Sequence, residues 1–240
     1  MVKRTGLGNK LYIGGYAVSN DIRSINTIGS PCAVFNTTGI DKSAMERLKG
    51  LGDGIIDLAC YLNRTGLHVP ASTLPTSDVV VTYAMSDTVG DVTGSLQAKQ
   101  VNYDWSRDES GELLGAIQAL GGGGYPTEWG VALTAGPHVF SGASSTASHD
   151  NVAATGGAAM YVQCIAFTGT DVTIELEQSS DDGAGDAWAS LGTPLTATLT
   201  GIGGVRVDVP SSVTVEQYVR AAVSGTFSSA TLLISFVGGA

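Results

Sequence analysis

Residues 171–178, DVTIELEQ, put Val172, Ile174 and Leu176 on one side of an extended chain and Asp171, Thr173, Glu175 and Glu177 on the other. Side chains alternate across a strand, so a period of two specifies a half-buried β-strand and not a helix, whose period is 3.6. Apolar runs of strand length recur at 10–19, 31–36, 79–84, 113–120, 128–136, 158–167, 205–209, 218–223 and 231–237. Composition agrees: Gly is abundant at 33 residues and only 14% of the chain is charged, against 43% hydrophobic. Such a chain is expected to be all-β, built as sandwiches with many turns.

Two stretches carry more detail. In GIIDLACYLN, residues 54–63, one face holds Ile56, Leu58, Cys60 and Leu62; the other, with Ile55, Asp57, Ala59, Tyr61 and Asn63, is mixed and suits water or another subunit. In GSLQAKQVNYDW, residues 94–105, the apolar positions change parity, which predicts a bulge near Gln100. One segment breaks the β pattern. From Asp41, a capping residue type, the run Lys42–Lys49 carries good helix formers, with Ala44, Met45 and Leu48 on one narrow apolar face. Gly50 and Gly52 would end it, so one short helix docked on a sheet is expected there.

Charge divides the chain. Residues 1–138 hold ten Lys and Arg against thirteen Asp and Glu; residues 139–240 hold two Arg against nine acids, which accounts for the net −10. The step coincides with a small, polar, aperiodic stretch. The expected organisation is therefore a domain at 1–137, a linker at 138–157 and a C-terminal β-sandwich at 158–240, Ig-like or jelly-roll-like. A chain this acidic is a poor phosphate binder, but acidity suits a surface that nucleic acid must pass without sticking. Residues 1–10 do not read as a secretory signal, and no apolar run reaches the roughly 18 residues of a membrane span. Cys32, Cys60 and Cys164 are odd in number and sit in apolar contexts, as reduced buried thiols do.

Catalytic equipment is not evident. His68, His138 and His149 stand at no metal-ligand spacing, and the contiguous Ser148, His149 and Asp150 cannot converge as a triad does. GLGNK and GGGG lack the Lys-Ser/Thr ending of a phosphate loop. DDGAGD, residues 181–186, misses the EF-hand spacing and reads as an acidic hairpin tip. No catalytic residue, metal or cofactor is expected. Trp188 is the one aromatic placed to contact a glycan.

The block TGIDKSAMERLKGLGDG, preceded by DIRSINTIGSP and followed by strand 54–63, resembles the major tail tube proteins of bacteriophages with long non-contractile tails, in particular those of actinobacterial hosts. LPTSDVVVTY, AKQVNYDWSRDESGELL and EWGVALTAG extend the resemblance over about residues 10–136. AFTGTDVTIELEQSSDDG and YVRAAVSGTFSSATLLISF are similar, more loosely, to β-sandwich modules appended to such tail proteins. The resemblance implies a β-sandwich with one flanking helix, six copies forming a ring whose inner sheets join into a barrel around a DNA channel. It implies Lys42, Glu46, Arg47 and Lys49 at subunit contacts, and Asp57, Thr82 and Gln118 toward the lumen. Implied partners are further rings stacked into a tube, the tape measure protein and genomic DNA in the lumen, and tail terminator and distal tail proteins. The implied location is the virion tail, assembled in the host bacterial cytoplasm, with no membrane binding. A head decoration or other tail-associated protein, or a carbohydrate-binding module, is the alternative. The acidic second half is expected to decorate the tube and to be dispensable for its assembly.

Overall fold

The computed structural model describes residues 5–73, 77–192 and 195–239. Residues 74–76, which lie in the LPTSDVVVTY stretch, and residues 1–4 fall outside them. In the first half the strands are β1 (Lys10–Ile13), β2 (Tyr16–Ala17), β3 (Ile22–Gly29), β4 (Cys32–Asn36), β5 (Arg47–Gly52), β6 (Ile55–Tyr61), β7 (Val79–Ala84), β8 (Val92–Gln100), β9 (Asp104–Arg107), β10 (Leu113–Gly121) and β11 (Glu128–Ala132). Then come β12 (His138–Phe140), β13 (Ser144–Ser145), β14 (His149–Asp150), β15 (Ala154–Thr155), β16 (Ala158–Ser179), β17 (Ala189–Ser190), β18 (Thr196–Leu199), β19 (Gly203–Val209), β20 (Thr214–Val215) and β21 (Tyr218–Gly238). Among the described residues the chain is all-β with one short α-helix, α1 (His68–Ala71).

That helix is not where helix propensity placed it. Residues 41–49 are instead the tip and return strand of a hairpin: β4 pairs antiparallel with β5, Phe35 opposite Leu48 and Val34 opposite Lys49. Propensity differences of a few tenths of a kcal/mol per residue are a weak prior, and cross-strand pairing overrides them here. The expected bulge near Gln100 is a strand end: β8 stops there and β9 starts at Asp104.

Two sheets face each other in the first half. β3, β6, β10 and β9 form one; β2, β1, β7 and β8 form the other. Between them lie Leu11, Ile56, Leu58, Cys60, Val81, Leu96 and Ile117, all buried. Asp21, itself buried, accepts hydrogen bonds from Asn63 Nδ2 and the Leu67 N–H at 2.8 and 2.9 Å and so ties down the loop before α1.

The second half is built on two long strands. β16 and β21 pair from Ala158↔Gly238 to Ser179↔Tyr218, with register shifts between Cys164 and Asp171. These irregularities let one strand serve two sheets. The early part of β16 pairs with β19, and its later part with β18 and β17. Val172, Ile174, Leu176, Val219, Ala221 and Ile234 fill the space between. Residues 138–150 lie along β21 as three short strands, β12, β13 and β14.

The halves share a third core. β7, β8, β11, β21, β16 and β19 pair in that order, and β19 comes back against β7, where a Cβ on Gly204 would lie 2.9 Å from Val80 Cβ. The enclosed interior holds Val80, Ala159, Tyr161 and Val237 together with buried Thr82, Thr93, Ser95, Gln163 and Ser235. Gln163 accepts the Gly15 N–H at 2.7 Å and donates to Val80 O at 2.9 Å and Thr82 Oγ1 at 3.2 Å. β7 is thus covered on both faces, which is why its sequence is a continuous apolar run. A second half that merely decorates the first would leave that face of β7 to water.

At the end of this interior sits a buried ion pair. The Arg206 guanidinium meets both Glu128 carboxylate oxygens at 2.8 and 2.9 Å, and also Asp208 at 2.9 Å. It stacks over the Tyr125 ring, 3.4 Å from the centroid. The Tyr161 hydroxyl donates to Glu128, and burial together with that carboxylate pushes its pKa upward. Burial is the largest single influence on Arg206 and opposes its charge, but the hydrogen bonds and charge of Glu128, together with Tyr161, outweigh it and raise the pKa.

Candidate assembly surface

The β4–β5 ribbon stands away from both sheets. Directly opposed residues share a face, so Ala33, Phe35 and Leu48 lie on one side and Val34, Asn36, Arg47 and Lys49 on the other. The first side is apolar and the second basic. Gly50 leaves room for the aromatic ring; a Cβ there would sit 2.8 Å from Phe35. Phe35 is 59% exposed and Leu48 61%, with Ile40, Met45 and Leu51 also open to solvent. A lone two-stranded hairpin is marginal in water, and large exposed apolar side chains concentrated on one element mark a contact surface.

The four residues expected at subunit contacts all lie on this ribbon and are exposed. Lys42 and Glu46 face each other across the tip at 3.4 Å, and Arg47 and Lys49 share the basic side. Leu48 was expected on the apolar face of a helix and Phe35 was not singled out, although the alternation in residues 31–36 sets Phe35 and Ala33 on one face.

The outer face of the β3–β6–β10–β9 sheet is the second open surface. The register sets Asp57 beside Gln118 and Ala59 beside Ala116, with Thr27, Ser24 and Asp104 alongside. Asn26 Nδ2 donates to Asp57 at 3.4 Å. The cations of these four strands are Arg23 and Arg107, and Arg23 is paired with Glu112 at 3.5 Å. Asp57 and Gln118 are therefore neighbours on one weakly acidic face.

Thr82 is not with them. It is buried on the opposite sheet, inside the shared interior, and its hydroxyl accepts from Gln163 and from Ser95. The expectation that it faces a lumen is corrected by that burial. Trp188 is half-buried in the second half, where Arg220 stacks on its ring at 4.3 Å and is held by Glu177 at 2.7 Å. One face of the indole is thereby occupied.

The remaining polar motifs are tied up locally. Asp181 accepts N–H bonds from Asp186 and Gly185, and Asp186 accepts from Ser180; these bonds hold both carboxyls below the ordinary value. Among the described residues no group of three or more His, Cys, Asp or Glu is placed to hold a metal. Nor is any helix among them long and apolar enough to cross a membrane. His68 Nδ1 meets the Tyr103 hydroxyl at 2.8 Å, and the His138 ring packs edge-on against Phe140. Burial lowers the pKa of His149.

No protein-family model matches the chain, and no curated protein does. Among solved structures, it is similar to a chain of the virion of a native gene transfer agent particle, at 13% identity and a TM-score of 0.41, over 52% of this chain and 98% of that one. It is also similar to the SPP1 Dit protein, described as a paradigm of the hub adsorption apparatus of phages infecting Gram-positive hosts. That match has 9% identity and a TM-score of 0.36, over 95% of this chain and 98% of the other. At these scores neither likeness carries an argument about this chain.

Proposed function

We propose that this chain is a structural subunit of a bacteriophage tail, the major tail tube protein, which stacks as hexameric rings around a DNA channel. The observation that carries the reading is the unpacked β4–β5 ribbon, whose apolar and basic sides are left exposed among the described residues. Such a ribbon suits contact with another copy. The open sheet face of Asp57, Ala59, Ala116 and Gln118 suits the channel wall. Phosphate binding needs clustered Lys and Arg, so DNA slides past a face that offers few of them. The exposed edges of β3 and β9 would pair with the next copy, since closure into a barrel removes free edges.

On this reading residues 1–137 form the tube, and 158–240 form an outer part joined rigidly to it. The lumen holds the tape measure protein and then DNA in passage, and the ends meet terminator and distal tail proteins. Assembly takes place in the host cytoplasm, and the product is part of the virion. Electron microscopy of the purified chain tests this: six-membered rings or tubes with a central channel are expected. A chain that stays monomeric at all concentrations and salts would remove the basis of the proposal. Discrete, capsid-bound copies would favour a head decoration role.

A further inference from the structure

Arg47 and Lys49 stand two residues apart on β5, so both point to the same side of the ribbon, about 7 Å from each other, with Asn36 and Val34 opposite them. Both are exposed. Lys10, Arg23, Lys42, Lys99, Arg206 and Arg220 are each held by a carboxylate, whereas Arg47 and Lys49 form no ion pair among the described residues. Like charges set side by side on one face of a sheet repel, and an acidic surface laid on them removes that repulsion. The second half has the opposite imbalance. Its two cations are both occupied, Arg206 by Glu128 and Asp208 in the shared interior and Arg220 by Glu177. At its far end Ser179 of β16 and Asp150 of β14 both oppose Tyr218 of β21. Asp150, Asp181, Asp182, Asp186 and Glu216 gather around that end, the four Asp exposed, with no cation left to neutralise them. Backbone N–H bonds fix Asp181 and Asp186 in place and favour their charged forms without neutralising them. Burial, and after it the charge of Asp186, raises the pKa of Glu216.

We propose that the basic side of the β4–β5 ribbon docks on the acidic far end of a second copy, with Arg47 and Lys49 against Asp182, Asp186 and Glu216. This contact rests on the self-assembly reading above and deepens it by naming the surface that accepts the ribbon. Charge complementarity selects that surface. The other acidic places on the chain carry cations of their own: Asp57 and Asp104 share their sheet with Arg23 and Arg107. At the 108–112 tip Arg107 reaches over Gly111 and Arg23 pairs with Glu112. A nucleic acid is a poorer occupant, because phosphate contacts need more clustered Lys and Arg than two. The basic side and the acidic end are different surfaces, one on each half, so the contact is head-to-tail. Such a contact propagates, closing into a ring or running on as a filament.

The test uses the full chain. Isotope-labelled and unlabelled protein are mixed, assembled and treated with a carbodiimide, which joins a lysine amine to a carboxylate that touches it. Lys49 should couple to Asp182, Asp186 or Glu216 of the other isotopic copy, read by mass spectrometry of the peptides. Coupling only to Asp57, Asp104 or the 108–112 tip, or none between copies that do assemble, would overturn the assignment and leave the assembly reading standing. As a second measurement, Glu216→Lys should fold with a Tm no lower than that of the wild type, because the new ammonium lies beside Asp186 of its own chain. It should nevertheless associate about tenfold more weakly by light scattering. Arg47→Glu with Lys49→Glu should weaken association likewise, and the three changes in one chain should recover it. Undiminished association of Glu216→Lys would overturn the assignment, as would retention of the wild-type chain by DNA that is lost with Arg47→Glu and Lys49→Glu. A wild-type chain that never associates would sink the parent reading and this contact with it.

Discussion

Replacing Arg206 with Met breaks the ion pair that closes the shared interior. The Arg206 side chain is 2% exposed, and it carries a two-point contact to Glu128 and a stack on Tyr125. Removing it strands Glu128 as a buried carboxylate whose remaining partner, Tyr161, is a neutral donor. Losing one member of a buried pair costs about 3–5 kcal/mol. Unfolding entropy of roughly 2.1 cal/mol/K per residue gives about 0.5 kcal/mol/K for a chain of 240 residues, so Tm should fall by about 6–10 °C. Differential scanning calorimetry of unassembled protein reads this directly. Because the pair joins β11 of the first half to β19 of the second, the whole transition should move as one. Adding Glu128→Gln should recover part of the loss, since the stranded charge is then gone. A fall below about 2 °C, or a biphasic trace in which one half melts unperturbed, would refute the reasoning.

Deleting residues 142–240 uncovers Val80, Thr82 and Ser95 and removes the pairing of β11 with β21; the fragment is expected to be insoluble or unfolded, and thin tubes formed by it would contradict the shared core. Burial raises the thiols of Cys60 and Cys164 to about 11. A thiol reagent should therefore modify half-buried Cys32 first, and assembly that covers the ribbon should slow that one reaction. In acid, Asp181 and Asp186 should lose their bonds to the loop backbone. Their folded pKa values are lowered, so the contribution is present above the ordinary 3.8 and is lost as pH falls through the folded values. Amide exchange at Gly185 and Asp186 should quicken only below that pH, and acceleration already at pH 6 would contradict it.

Where an apolar run or an alternation passes undisturbed between turns, the fold was legible. VVVTYA became β7 at its expected bounds, and 113–120 became β10 with one residue added. β3 escaped notice because its register slips between Ile22 and Ser24 and again between Ile25 and Thr27. Two slips put Ile22, Ile25 and Ile28 on one face at a spacing of three, which hides a period of two. The false helix at 41–49 arose where the chain is solvated on all sides, so local propensity faced no burial pattern that could correct it. Thr82 could not be placed from sequence, because its partner Gln163 lies 81 residues away. Asp57 and Gln118 were legible as outward-facing because each alternates with core residues of its own strand.

The long strands β16 and β21 have a mechanical consequence. Each runs without interruption from the shared interior to the far end of the second half, β16 outward and β21 back. A pull on that far end is therefore carried toward the junction along two covalent backbones in parallel. The hydrogen bonds between them keep the pair aligned and do not themselves bear the axial tension. Traction there reaches Gln163 and Tyr161 at the junction before any linker can stretch, so a tug on the outer part is felt by the sheet that carries β7.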